Sequence, residues 1–560
     1  MRKPFLVRFL AHFLVRALII GAVSPGWMPS PASANDTNGF EASGPVPADT
    51  ELEASGAVIG EVLVDNQNIF NLDDPKDNTK LFRLANRLHV KTRASVIRSQ
   101  LLFRPGDRYS RRVLDESERI LRSAQYFYDA WIVPVSYHDG KVDLRVTTRD
   151  VWTLDPGFNY GRSGGKNETG YQLQDINLLG TGAAIVLEHS NDIDRTESLV
   201  QLSDTHAFNT WTSVSASYGN FSDGGVRQVI INRPFYSLET QHAGGLVVTN
   251  QDLVDSLYDR GNIVDQFHDR TRFAQVYTGW SAGLQNGWVR RWSTGFTYDE
   301  RLFTPAPNWA GPALIPYDRR YAYPWIRFDL LEDDYLKTKN HDQIERTEDF
   351  YLGTTATVRV GWADSSLGST RSALMFQSAA GQGYALSRAT TLLLSSAFTG
   401  RVEDGSLHNG VLAGAVRYYA QLTKNWLFFT TLKAAKGWRL DLENQLLLGG
   451  DNGLRGYPLR YQDGTERALL TIEQRYFTDW YPFRLFRVGG AVFFDAGRTW
   501  GSPPLAAPNL GLLKDVGFGL RFGNSRSGLG NVIHVDLAFP LDGDSSIQRV
   551  QFLVATQEQF

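Results

Sequence analysis

Residues 486–497 read Phe486-Arg487-Val488-Gly489-Gly490-Ala491-Val492-Phe493-Phe494-Asp495-Ala496-Gly497. In an extended chain Phe486, Val488, Gly490, Val492 and Phe494 share one face, and Arg487, Gly489, Ala491, Phe493 and Asp495 share the other. Val516, Phe518, Leu520 and Phe522 alternate in the same way with Gly517, Gly519, Arg521 and Gly523. In a water-soluble sandwich the apolar face would be a core and the polar face would be solvated. The length of the pattern points elsewhere. From about residue 155 onward, runs of roughly ten alternating residues are separated by short turns on one side and longer loops on the other. That is the pattern of a barrel with lipid outside and a polar lumen inside. Trp280, Trp288, Trp426 and Trp438 fall near expected turns or strand ends, where interfacial aromatics belong.

Composition agrees with this reading. Hydrophobic residues are only 42% of the 560, and 52 are glycine. No internal segment reaches the ~20 uninterrupted apolar residues of a membrane helix, a test that a barrel escapes because every second residue faces the lumen. The net charge of −3 gives no general electrostatic case for a nucleic-acid partner. Cysteine is absent, which removes disulfides and thiolate metal sites and suits a chain that crosses an oxidising compartment. Arg2, Lys3 and Arg8 precede an apolar stretch centred on Phe13 to Val23, and Ala32-Ser33-Ala34 offers a small-residue cleavage site. Residues 1–34 are therefore expected to be an export signal peptide. Residues 35–56, rich in Asn, Asp, Ser, Gly, Pro and Glu, read as a flexible linker without a core.

Between 57 and 153 the pattern is mixed. Ile59 to Asp65 reads as a strand, and Leu81, Leu84, Ala85 and Leu88 recur at helical spacing. A short helix is expected over Ala94 to Leu101. Val113, Leu114, Ser117, Ile120, Leu121 and Ala124 line one face of a longer helix that Ser110 could cap. Trp131, Val133 and Val135 then alternate, Asp139-Gly140 supplies a hairpin turn, and Val142, Leu144 and Val146 return. The order is β-α-α-β-β with an extra helix near 79–88.

Several charged stretches test other functions. Gly161-Arg162-Ser163-Gly164-Gly165 matches the serine-hydrolase elbow pattern, but strand-like sequence on both sides makes it a hairpin, and Ser163 is not expected to be a nucleophile. Glu332-Asp333-Asp334 and the charged stretch to Glu348 lack the spacing of a calcium loop and read as a solvated loop. The ten histidines show no zinc-hydrolase pair. No catalytic constellation, metal site or cofactor site emerges, and the chain is not expected to be an enzyme. The remaining feature is Arg455, in Gly449-Gly450-Asp451-Asn452-Gly453-Leu454-Arg455-Gly456-Tyr457-Pro458-Leu459-Arg460-Tyr461. A guanidinium on such a loop is not buried without a carboxylate, and Glu473 and Asp495 follow at strand positions.

Three sets of residues carry a resemblance. Phe103-Arg104-Pro105-Gly106-Asp107, Leu121 to Phe127 and Thr148-Arg149-Asp150-Val151-Trp152-Thr153 make residues 57–153 look like one POTRA domain. Asn177-Leu178-Leu179-Gly180-Thr181-Gly182 looks like a barrel-start turn. Leu454-Arg455-Gly456-Tyr457 with Phe493-Phe494-Asp495-Ala496-Gly497 resembles the inward-folded loop and its wall strand in the BamA/TamA-like outer-membrane assembly and two-partner secretion superfamily. Phe560, closing the last strand, resembles the terminal signal of outer-membrane barrels.

The resemblance implies a membrane all-β barrel over 154–560 with an inward-folded loop at 442–464, preceded by the α+β POTRA domain in the periplasm. It implies 16 antiparallel strands, whereas the direct count of alternating segments reaches about 20. Arg455, Gly456 and Tyr457 would be the loop tip, clamped to a wall carrying Glu473, Phe493, Asp495 and Gly497. The implied location is a bacterial outer membrane. The implied partners are outer-membrane lipids and lipopolysaccharide and unfolded client polypeptides, with periplasmic or lipoprotein accessories as further candidates. The implied function is an insertase or translocase that assembles or exports client proteins without nucleotide hydrolysis. A dedicated two-partner secretion exporter and a passive pore or structural barrel remain as alternatives.

Overall fold

The computed structural model describes residues 46–311, 314–501, 510–528, 532–543 and 545–557. The expected signal peptide at 1–34 and Phe560 lie outside the described residues.

The N-terminal part is a small α+β domain. In chain order it contains α1 (Asp49–Ala54), β1 (Val58–Gln67), α2 (Lys80–Leu88), α3 (Ala94–Ser99), α4 (Arg111–Ser123), β2 (Phe127–His138) and β3 (Lys141–Asp150). β3 is the central strand, parallel to β1 and antiparallel to β2. Asp139 and Gly140 both take positive φ, 49° and 75°, the backbone of a two-residue hairpin between right-twisted strands. Leu52 of α1, Ile97 of α3 and Leu114 and Leu121 of α4 are fully buried against Ile132, Val142, Leu144 and Val146 of the sheet. Each such side chain contributes roughly 1.5–3 kcal/mol by leaving water.

Three expectations for this part need correction. Asp49–Ala54, expected within a flexible linker at 35–56, form a helix whose Leu52 enters the core, and residues 35–45 lie outside the described residues. Ser110 sits at the N-cap of α4 but its side chain makes no cap bond. The Glu53 carboxylate of α1 instead accepts the Arg111 N–H at 2.8 Å, so one helix satisfies the open end of another. In α2 the expected inner face is mostly outside. Phe82 turns inward and stacks on Phe70 at a ring-centroid distance of 3.9 Å, with Ala85 beside them, while Leu81, Leu84 and Leu88 are 67%, 48% and 63% exposed. The sheet face is already covered by α1, α3 and α4, so the leucine stripe finds no core to enter.

From Leu154 onward the chain forms a closed barrel of 20 strands, beginning with Leu154–Ser163 and ending with Gln551–Gln557. The direct count therefore holds and the 16 strands implied by resemblance are too few. The segments ahead of the loop at 442–464 are wall strands. Only two short hairpins, Tyr335–Lys339 with Thr347–Tyr351 and Leu446–Leu448 with Gln462–Gly464, stand apart from the wall among the described residues.

Alternation along the wall is as the sequence pattern requires. Val492 and Phe518 are 63% and 52% exposed on the outside, whereas Phe493, Asp495, Asp515 and Arg521 are buried inside. Trp280 and Trp426 are exposed near strand ends, Trp288 begins its strand and Trp438 ends its own. The exterior is thus an apolar surface with aromatics toward its rims, and the interior is charged, as in a membrane-spanning barrel.

Among the described residues the first and last strands share one register pair, Val554 opposite Arg162, while Gln551–Gln557 shares seven pairs with Val532–Pro540 on its other side.

Candidate functional site

A barrel of this size is too wide for side chains alone to fill, so it leaves a channel unless other segments enter. Two do. The loop 442–464 enters from the end far from the α+β domain, and the segment 333–354 enters from the domain end.

The structure places Arg455 against the inner wall. Its Nε and Nη2 donate to the two oxygens of Asp495 at 2.7 and 3.0 Å, and its Nη1 donates to Glu473 Oε1 at 2.8 Å. The two carboxylates come from the neighbouring strands Glu466–Phe477 and Phe486–Trp500. The guanidinium lies 3.4 Å above the centre of the Phe493 ring, so it is held by a fork of charged bonds and by an aromatic face. Thr471 donates to Asp495 Oδ1 at 2.7 Å, and Arg475 donates to the second oxygen of Glu473 at 2.9 Å. Asp495 is fully buried and the Glu473 and Arg455 side chains are 5% and 12% exposed, so none of these charges is left to water.

The residues beside Arg455 explain the close approach. The Gly456 N–H donates to Asp515 Oδ2 at 3.1 Å, and a Cβ on Gly456 would lie 2.6 Å from the Asp515 Cβ. Any larger residue would push the loop off the wall. Tyr457 is buried and its hydroxyl donates to the carbonyl of Lys514 at 2.7 Å. Gly497 leaves room for Leu448, Leu454 and Leu469, each 3.2 Å from where its Cβ would be.

The loop also grips the opposite side of the barrel, through contacts that the sequence reading missed. Arg460 donates to both oxygens of Asp194 at 2.8 and 2.6 Å and lies over the Tyr258 ring. Burial alone would raise the Asp194 carboxyl, but hydrogen bonds and charge from Arg460 outweigh it and hold the group down at about 2. At the loop's base Arg401 makes a fork to Asp441 at 2.8 and 2.7 Å, and Arg319 bonds Glu443. Ser163, the residue inside the hydrolase-like pattern, donates to the carbonyl of Gly450 at 2.6 Å and so ties the first hairpin to the loop. Gly164 and Gly165, at φ 54° and 80°, make that segment a hairpin turn.

The segment 333–354 overturns the expectation of a solvated loop. Ile344 and Phe350 pack with Tyr419, Phe429 and Phe477 of the inner wall. Asp342 accepts from the Tyr419 hydroxyl at 3.1 Å, and Arg475 donates to the carbonyl of His341 at 2.7 Å and to Asp342 at 3.4 Å. The α+β domain holds the same segment from the other side. Arg122 donates to both oxygens of Asp349 at 2.8 and 2.9 Å, Thr347 donates to Asp129 at 2.8 Å, and Lys337 donates to Glu118 at 2.9 Å. Asp342, Arg475, Glu473 and Arg455 therefore form an unbroken ionic line from the domain-end segment to the far-end loop.

The barrel-start turn fastens the domain to the wall. Asn177 accepts the Gly182 N–H and donates to Thr92 Oγ1, both at 2.7 Å, and the Arg93 N–H donates to the carbonyl of Gly180 at 3.0 Å. Gly180 has φ 69° and a Cβ there would lie 2.3 Å from the Lys91 carbonyl, so this approach needs glycine.

The chain thus carries one small domain of α-β-α-α-α-β-β order below a closed barrel, with an inward loop held to the wall by Arg455. Among solved structures it is similar to CdiB from Escherichia coli, with TM-score 0.46 and 11% identity over 89% of this chain and 76% of that one. CdiB from Acinetobacter baumannii gives TM-score 0.43 and 11% identity over 89% and 74%. BamA from Haemophilus ducreyi lacking POTRA domains 1–3 gives 0.37 and 12% over 89% and 84%. No protein-family model and no curated protein matches the chain. With TM-scores below 0.5 and identities of 11–12%, these likenesses carry no argument about family or role.

Proposed function

We propose that the chain is an outer-membrane insertase or translocase, which assembles or exports client polypeptides without nucleotide hydrolysis, with its POTRA-like domain in the periplasm. The observation that carries this reading is the seam. Among the described residues one register pair joins the first strand to the last, which makes this seam the place where an incoming strand could pair with the wall. In a bilayer unpaired backbone groups must be satisfied, so an open seam favours exchange with a client strand. A lumen crossed by one segment and closed at its base by another supports this reading over a passive pore.

A photoreactive residue at position 552 tests it. Phe552 is 42% exposed on the seam strand, and Phe518 is 52% exposed on the strand Leu513–Asn524 away from the seam. Irradiation of growing cells is expected to give polypeptide adducts at 552 in clear excess over 518. Equal or absent adducts at the two positions would contradict the seam as the client site.

A further inference from the structure

Residues 79–93 contain no acidic side chain. On α2, Leu81, Leu84 and Leu88 form one outward stripe, and Lys80, Arg83 and Arg87 form a second stripe beside it. Val90, Lys91 and Arg93 continue this exposed apolar and basic surface beyond the helix. Single exposed leucines are ordinary, but a helix with a contiguous outward leucine stripe and a basic border is built to lie at a surface.

The stripe has a fixed direction. Arg484 donates to Asp77 at 2.7 Å and to Asp74 at 2.8 Å, and Arg526 donates to Asp77 at 2.9 Å. Phe82 and Ala85 share an apolar cluster with Trp152 and Leu485. These contacts clamp α2 to the barrel turn 478–485. At its C-terminal end Asp150 accepts from the Thr92 N–H at 2.8 Å and from its hydroxyl at 3.0 Å.

The turn that holds the helix is itself apolar on its outer side. Trp480 and Phe483 are 60% and 80% exposed, and Phe483 has φ 55°, a conformation rare for a bulky residue. The last outward residue of the strand leading into this turn is Tyr476, whose ring lies 4.5 Å from that of outward Trp426. The aromatic rim of the barrel's lipid-facing wall therefore runs directly into the turn that carries α2.

We propose that α2 and the turn 478–485 together form a lipid-contact surface, seating the α+β domain on the anionic face of the bilayer at the domain end of the barrel. The leucines, Trp480 and Phe483 enter the headgroup boundary, and Lys80, Arg83, Arg87 and Lys91 meet acidic phospholipid. Continuity with the aromatic rim and the one-sided charge select a membrane as the occupant. This assignment rests on the barrel spanning a membrane and is independent of what the barrel transports.

The absence of cysteine allows a clean test in the full chain. Leu84→Cys, Leu81→Cys, His138→Cys at the far hairpin of the domain and Phe518→Cys on the outer wall are each labelled with an environment-sensitive fluorophore. They are then reconstituted with brominated lipid in vesicles of phosphatidylcholine, with or without phosphatidylglycerol. Quenching at 518 reports insertion of the barrel itself. With phosphatidylglycerol present, quenching at 84 and 81 is expected to exceed that at 138 several-fold, and to fall when phosphatidylglycerol is omitted or Arg83 and Arg87 are changed to Glu. Quenching at 518 with none at 84 and 81 beyond that at 138 overturns the proposal. So does excess quenching that ignores phosphatidylglycerol, or shielding that appears only when membrane-protein extract is added.

Discussion

Replacing Arg455 by alanine is expected to lower the stability of the folded barrel by about 3–5 kcal/mol, because it leaves a buried carboxylate pair short of its cation. Asp495 would keep only the Thr471 hydroxyl from its present side-chain donors, and Glu473 would keep Arg475. Neither neighbour can replace the fork that Arg455 makes to Asp495 or its stacking on Phe493. Arg455→Lys retains the charge but loses the planar fork, and is expected to forfeit about 1.5–3 kcal/mol, the range for bonds to charged groups. Denaturant unfolding in lipid vesicles, followed by tryptophan fluorescence, measures both. Limited proteolysis of residues 442–464 shows separately whether the loop has left the wall. Wild-type stability and wild-type protection in Arg455→Ala would remove the brace from this account.

Deleting residues 335–351 and joining the ends through two glycines is expected to raise single-channel conductance several-fold. The ends of the segment already meet, since the Leu352 N–H donates to the carbonyl of Asp334 at 2.8 Å, so the wall strands on either side need not move. What disappears is the packing of Ile344 and Phe350 on the inner wall and the Asp342 contact to Arg475. A 20-strand wall without that filling encloses a wide aqueous channel. Planar-bilayer recording of the purified barrel makes the comparison, with heat-modifiable migration as proof that the deletion variant is folded. Wild-type conductance from a folded deletion variant would show that the segment does not close the lumen.

Much of this architecture is legible because a barrel wall repeats one rule. Every second residue faces lipid, so Val492 and Phe518 announce their side without knowledge of any partner. The pairing of Arg455 with Glu473 and Asp495 is legible for a related reason, since the wall positions follow directly from strand parity once the loop is recognised. Long-range pairs whose inward segment is not recognised carry no such rule. Asp342 meets Arg475 across a separation of 133 residues, and Arg460 meets Asp194 across 266. Each acid, read alone, is a charge in a polar stretch, indistinguishable from a solvated one. The α2 leucines fail in the opposite way. Helical spacing identifies an apolar face but cannot say whether protein or lipid covers it. The strand number shows that direct alternation was the better guide, because four more wall strands than the resemblance implies are compatible with the same loop and the same five strands after it.

The central claim is that this barrel handles other polypeptides. Depleting the chain and comparing the outer-membrane and secreted proteomes with those of undepleted cells tests it most directly. The account predicts selective loss of at least one other barrel or secreted protein, restored by the wild-type chain and not by Arg455→Ala. Unchanged levels of every other barrel and every secreted protein would contradict it.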